Sequence, residues 1–200
     1  MFLARRPSPA TIDRFLRASR GAPLSYGPIG VVTADPPGHA LDRATVAIGR
    51  GAADFERARS ALMAWKQFDI GWAETFPRDA PVEAGTVVAV LIRHLGFWSL
   101  NGARVLYGVG SPEGGTRFGY ACGTLTTHAE SGEELFEVLL DPRTDEVLYS
   151  IRAVSRPQAL LARIGQPVVR MLQRRFRAHS AAAMARATRS AEPHPRRLVI

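Results

Sequence analysis

The residues most able to do acid–base chemistry lie close together in one stretch. Between Gly115 and Pro157 (GTRFGYACGTLTTHAESGEELFEVLLDPRTDEVLYSIRAVSRP) the chain carries His128, the adjacent pair Glu133 and Glu134, and its single cysteine, Cys122. Imidazole titrates near neutrality, and a desolvated carboxyl can be raised towards it, so a His and a Glu within hydrogen-bond reach make a competent acid–base couple. His128 precedes Glu134 by six residues, across a turn expected at 129–132 that would bring the two side chains together. The structural alternative is that His128 and Glu133 bond backbone groups and fix a tight turn. Cys122 has no base beside it in sequence and reads as a buried, inert thiol. Histidines 39, 94, 128, 179 and 194 show no metal-ligand spacing, and one cysteine cannot build a structural zinc site, so neither metal nor cofactor is expected. Gly49-Arg50-Gly51 precedes a helix but lacks the dinucleotide fingerprint and a phosphate-loop lysine.

Period-two alternation sorts the stretch by face. Phe118, Tyr120, Cys122 and Thr124 share one face. Glu134 shares the core parity of Phe136 and Val138, which makes it the unusual member of its set. Val147, Tyr149, Ile151 and Ala153 alternate likewise. The expected strands run over 117–126, 134–140 and 146–154, preceded by strands at 44–48, 88–92 and 102–108, the last with Val105 and Tyr107 on one face. Residues 26–33 read as extended, and 35–38 as a loop by their Pro and Gly content. A short helix is expected after Ser8-Pro9, and a stronger one over 52–68, where Phe55, Ala58, Leu62, Trp65 and, one turn on, Phe68 or Ile70 recur at helical spacing. A long helix is expected from Pro157 to about Ala187. Ser155 is its natural N-cap, Leu161, Ile164, Val168, Leu172 and Phe176 form its apolar stripe, and Gly165 and Pro167 interrupt it. Arg170, Arg174, Arg175 and Arg177 fall on its solvated side.

Consecutive hairpins require an antiparallel sheet, and its apolar face requires a cover. The expected class is therefore α+β, a helix-grip fold in which a curved antiparallel sheet wraps around a long C-terminal helix. Residues 1–24 form an N-terminal helical extension, 25–187 the helix-grip domain and 188–200 a disordered tail. The chain has 200 residues, 46% apolar and 22% charged, as expected of a soluble globular domain. No window approaches the 18 apolar residues of a membrane span, and MFLARRPSPA lacks the core of a secretory signal. With one cysteine and no internal disulfide, a cytoplasmic location is expected.

The net charge of +8 is unevenly spread. Residues 1–20 hold five Arg against one Asp and residues 152–200 eleven Arg against one Glu, whereas the middle is net acidic. Without interleaved aromatics or a nucleic-acid motif, no specific nucleic-acid partner is expected.

Several motifs spaced along the chain carry a resemblance: ATVAIGRGAADFERARSALMAWKQFDIGW from Ala44 to Trp72, PVEAG at 81–85, RVLY at 104–107, FGYACGTLTTHAESGEELFEV, Ser155-Arg156-Pro157, and Gln173, Phe176 and His179. Together they resemble the "domain of unknown function nineteen-ninety" family, which is similar to the Bet v 1/START-like superfamily of helix-grip proteins. The resemblance implies the fold and no reaction. The chain departs from the pattern at Asp42-Arg43, where a His is expected after the acid.

Three functions are open to such a chain. The first is binding of a small apolar or amphipathic ligand in a sheet-to-helix cavity lined by Trp65, Trp98, Tyr107, Tyr120, Phe136 and Tyr149, with Glu134 and His128 as polar anchors. The second is an enzyme of the same fold using His128 and Glu134. The third is an interaction protein that meets an acidic partner or an anionic surface through its basic C-terminal helix.

Overall fold

The computed structural model describes residues 1–34, 40–94, 96–111, 115–157 and 166–189. In chain order the elements are β1 (Phe2–Leu3), α1 (Pro9–Arg20), α2 (Val31–Ala34), β2 (Ala40–Arg50), α3 (Gly51–Met63), β3 (Ala73–Phe76), β4 (Val87–His94), β5 (Phe97–Gly110), β6 (Arg117–Thr124), β7 (Glu130–Leu140), β8 (Glu146–Pro157) and α4 (Gln166–Arg189). One 3-10 turn, Lys66–Phe68, follows α3. The strands form one antiparallel sheet in the order β2-β8-β7-β6-β5-β4-β3, with β1 added against β5. The sheet curls, and α4 lies in its hollow with α3 beside it. The loop expected at 35–38 lies outside the described residues.

The inner face follows directly from the alternation. Tyr120, Phe136 and Ile151 sit side by side on β6, β7 and β8, and Val138 pairs with Tyr149. Phe55, Ala58 and Leu62 from α3 and Phe176, Ala181 and Met184 from α4 close over them. Burying a large side chain of this kind contributes on the order of 2 kcal/mol, so these rings account for much of the drive to close the grip.

The outer face is covered too, by the N-terminal segment. Ser8 caps α1 by accepting from the Thr11 N–H at 3.3 Å, with Pro9 in the first turn, where its missing N–H costs nothing. Ile12 and Leu16 of α1 then pack on Ala89, Leu91 and Leu100. Val31 and Val32 of α2 pack on Ala121, Leu135 and Val154. Residues 26–33, read as extended, instead pass through a turn into α2.

Other boundaries moved for identifiable reasons. β7 begins at Glu130, so 129–132 is not the turn; the chain turns at 126–129, and the His128 N–H donates to the Leu125 carbonyl at 2.8 Å. The longer β7 gives β8 partners as far as Pro157, with Glu130 opposite Pro157 and Gly132 opposite Ser155. Ser155 is thus a strand residue, not a helix cap. Leu161, Ile164 and Gly165 lie outside the described residues; α4 begins at Gln166, which puts Pro167 in its first turn. At its other end α4 runs through Thr188 and Arg189, two residues into the expected tail; residues 190–200 lie outside the described ones. The helix predicted over 52–68 stops at Met63, because Trp65 adopts a left-handed backbone conformation (φ 56°). That conformation is unfavourable for a bulky residue. It is offset here by the indole N–H donating to Ala80 O at 2.8 Å and by ring contact with Tyr120 at 5.2 Å.

Candidate functional site

A row of polar residues crosses the inner face at one end of the packed interior. Cys122, Glu134, Ala153 and Asp42 are lateral neighbours on β6, β7, β8 and β2. Glu130, four residues before Glu134 on the same strand, has the same parity. Gln173 and Arg177 of α4 lie one helical turn apart and come down on this row. The Arg177 guanidinium sits 2.9 Å from an Asp42 carboxyl oxygen. Gln173 Nε2 donates to Glu130 Oε2 at 3.3 Å and to Ser155 Oγ at 3.2 Å.

Glu134 differs from the other two carboxyls of this row, Asp42 and Glu130: among the described residues it makes no hydrogen bond. Part of its surface still meets solvent, yet protein surrounds most of it. Burial and the nearby Glu130 charge push its carboxyl up to about 8, against the opposing pull of Arg177. Desolvation also raises Glu130, with Gln173 holding it back. Near neutral pH Glu134 therefore mostly keeps its proton and can donate a hydrogen bond as well as accept one. Cys122, opposite it on β6, is buried, and its thiol is pushed up by desolvation and by the Glu134 and Glu133 charges. Among the described residues no cluster of His, Cys, Asp and Glu could hold a metal ion.

His128 belongs to a different place. Its Nδ1 lies 2.9 Å from the Glu130 N and 3.1 Å from the Glu130 carbonyl oxygen, tying the ring to that backbone, and burial lowers the group to about 4. It faces an open pocket shared with Met1, Phe2 and Phe15, and no hydrogen bond joins it to Glu134. Of the two uses read from sequence, His128 has the backbone-fixing one. Glu133 is 2% exposed on the outer face and accepts from Tyr26 OH (2.7 Å), Tyr107 OH (2.6 Å) and the Gly30 N–H (2.9 Å).

The aromatic residues divide between the faces. Trp65, Tyr120, Phe136 and Tyr149 lie in the interior, each at most 3% exposed, and meet one another and α4. Tyr120 and Phe136 are 5.9 Å apart, and Phe136 and Phe176 6.4 Å. Their polar tips are tied inward: Tyr149 OH to Ser180 Oγ at 2.8 Å, and Tyr120 OH to the Gln67 amide, whose own oxygen is buried without a partner among the described residues. These rings fill the space they were expected to line. Trp98 and Tyr107 are corrections, because both lie on the outer face. Trp98 has the parity of Leu100 and packs under α1. Tyr107 is turned outward by a bulge in β5: Val105 pairs with Cys122 but Tyr107 with Ala121, so the two no longer share a face. Arg177 is a third correction; it was placed on the solvated side of the helix, but its side chain is 16% exposed and turned to Asp42.

Sequence reasoning missed Glu130, Asp42, Ser155, Arg177 and Gln67 as site members. Glu130 was the recoverable one, because extending β7 by four residues puts it in the Glu134 face.

The chain matches the family model "Domain of unknown function (DUF1990)" over residues 25–183. It is 32% identical over 209 residues to a UPF0548 protein of Dictyostelium discoideum, covering 95% of this chain and 97% of that one. It is 34% identical to a UPF0548 protein of Arabidopsis thaliana over 75% of this chain and 74% of the plant protein. Among solved structures, the ZhuI aromatase/cyclase from Streptomyces sp. R1128 superposes with a TM-score of 0.51 at 13% identity, over 77% of this chain and 98% of that one. At that identity the likeness concerns architecture alone. Motifs, family model and fold converge: the chain belongs to the DUF1990 family and has a helix-grip fold.

Proposed function

We propose that this protein binds a small amphipathic molecule at the polar end of the grip, between β7–β8 and the Gln173–Arg177 turn of α4. The observation that carries the reading is Glu134, a core-parity carboxyl raised to about 8 and without a hydrogen-bond partner among the described residues. Polar groups so enclosed normally have partners, and a ligand hydroxyl or carbonyl would supply one. The apolar part of the ligand would rest on the end of the aromatic interior, near Phe136 and Phe176. The test is titration with 2-naphthol and decanoic acid, read by tryptophan fluorescence, together with native mass spectrometry for a retained small molecule. Binding is expected to weaken about tenfold in Glu134→Ala and to persist in Glu134→Gln, the loss of one buried hydrogen bond being worth roughly that factor. If neither probe binds and no molecule is retained, the reading fails.

A second reading is catalytic. Two carboxyls on one face of β7, one of them titrating near neutrality, have the ionisation that acid–base chemistry needs, with Glu130 in the place assigned by sequence to His128. It predicts that a bound molecule is recovered chemically altered, and only when Glu134 is intact. Recovery of every bound molecule unchanged would reject it.

A further inference from the structure

At the β4–β5 side, one end of the sheet exposes a cluster of apolar side chains. Phe2 is 65% exposed, Phe97 55% and Met1 43%. Phe2 pairs with Ser99, two residues along β5 from Phe97, and Phe97 pairs with His94 across β4–β5. The Phe2 ring meets the His94 ring edge-on at 6.1 Å, so the three rings form one group. Beside them opens a pocket of about 480 Å³, lined by Met1, Phe2, Phe15 of α1 and residues 126–129.

Guanidinium groups lie at this end of the sheet and along the adjoining helix α1. Arg5, Arg14, Arg17, Arg20 and Arg93 are exposed, and none has an acidic partner among the described residues. Arg14 is next to Phe15, which lines the pocket. Arg93 and Arg6 lie against the Trp98 ring, at 5.8 and 5.2 Å, just behind the cluster.

We infer that this end of the protein docks on an anionic lipid bilayer, with Phe2 and Phe97 entering the headgroup–acyl boundary and the arginines meeting lipid phosphates. Exposed phenylalanine rings with exposed cations on the neighbouring strand and helix match the chemistry of that boundary. Each guanidinium can hold a phosphate through paired hydrogen bonds. A single-stranded nucleic acid calls for ring faces spaced along a basic track, whereas these rings crowd together at one end. The docking does not depend on the ligand site, and it differs from a surface built on the C-terminal helix, where the cations are Arg174 and Arg175.

The test is co-sedimentation of the full chain with phosphatidylcholine vesicles, with and without about a third phosphatidylserine. Binding is expected only to the anionic vesicles and is expected to weaken as salt rises. The double variant Phe2→Ser/Phe97→Ser should lower partitioning about tenfold. Because both side chains are exposed, its urea midpoint should match the wild type. Arg14→Ala/Arg17→Ala should flatten the salt dependence, and Arg174→Ala/Arg175→Ala should change nothing. The inference is overturned if the wild type ignores anionic vesicles or the Phe variant binds them as well as the wild type does. It is equally overturned if the C-terminal pair proves to be the one required, or if a single-stranded RNA binds more tightly than the vesicles and is lost in the same Phe variant.

Discussion

Glu133 and Glu134 are neighbours on one strand and have opposite surroundings. Glu133 points outward beneath the N-terminal segment and is met by two phenols and a backbone N–H. Glu134 points inward, keeps some contact with solvent, makes no hydrogen bond among the described residues and is raised to about 8. Burial alone does not separate them, since Glu133 is the deeper. Donors do. On the outer face the sheet has recruited a partner for each carboxyl oxygen, and on the inner face one carboxyl is left with bonding capacity to spare. The first arrangement holds the molecule together; the second is where a ligand can contribute.

Substitution should separate the two most sharply. Glu133→Ala strands two half-buried phenols and the Gly30 N–H, and is expected to cost about 3 kcal/mol in urea unfolding. It should also speed hydrogen exchange in α2. A loss below about 1 kcal/mol would mean that water replaces the carboxyl there.

Glu134→Gln should behave differently. The folded-state value of Glu134 lies above its ordinary value, so the folded protein holds a proton that the unfolded chain releases between about pH 4.5 and 8. Its contribution is intact below that window and is lost as pH rises through it. Allowing for partial exposure, the wild type should lose roughly 2 kcal/mol relative to Glu134→Gln from pH 5 to 8. Parallel stability–pH curves would refute the assignment.

His128 supplies the opposite slope. Its value is lowered to about 4, so its contribution is present above pH 6.5 and is lost as pH falls towards 4. Between pH 6.5 and 4, wild type is expected to lose roughly 1 kcal/mol relative to His128→Asn. The smallest effect sharpens the contrast further. Arg177→Ala removes the cation that opposes the rise at Glu134, and should move its midpoint upward by less than about one unit in a carboxyl-carbon NMR titration. No movement would place the two groups too far apart to interact.

What could be read beforehand was local. Alternation gave the β7 faces correctly, placing Glu134 with Phe136 and Val138, and successive hairpins with a closing helix gave the helix grip. Events that depend on one extra residue or on distant partners were hidden. The β5 bulge turns Tyr107 over, and alternation counted along one strand cannot register an insertion relative to its neighbour. The Tyr26–Glu133 and Asp42–Arg177 contacts join residues more than a hundred positions apart, so no spacing rule reaches them. The role of His128 was legible as one of two alternatives. Its bond to a backbone N–H two residues away is short-range, whereas the choice between them depended on where β7 begins.

The pairing of β2 with β8 also fixes when the molecule can become complete. Arg50 meets Glu146 and Ala40 meets Ser155, so each rung of that ladder closes a loop of roughly a hundred residues. During synthesis β2 leaves the ribosome early and has no strand partner until nearly the whole sheet has followed it. Until then it is an open edge, and its Val46 is an apolar side chain that stays 43% exposed even after closure. Folding of this chain is therefore expected to be slow and limited by its last strand, with self-association competing for as long as that edge is unpaired.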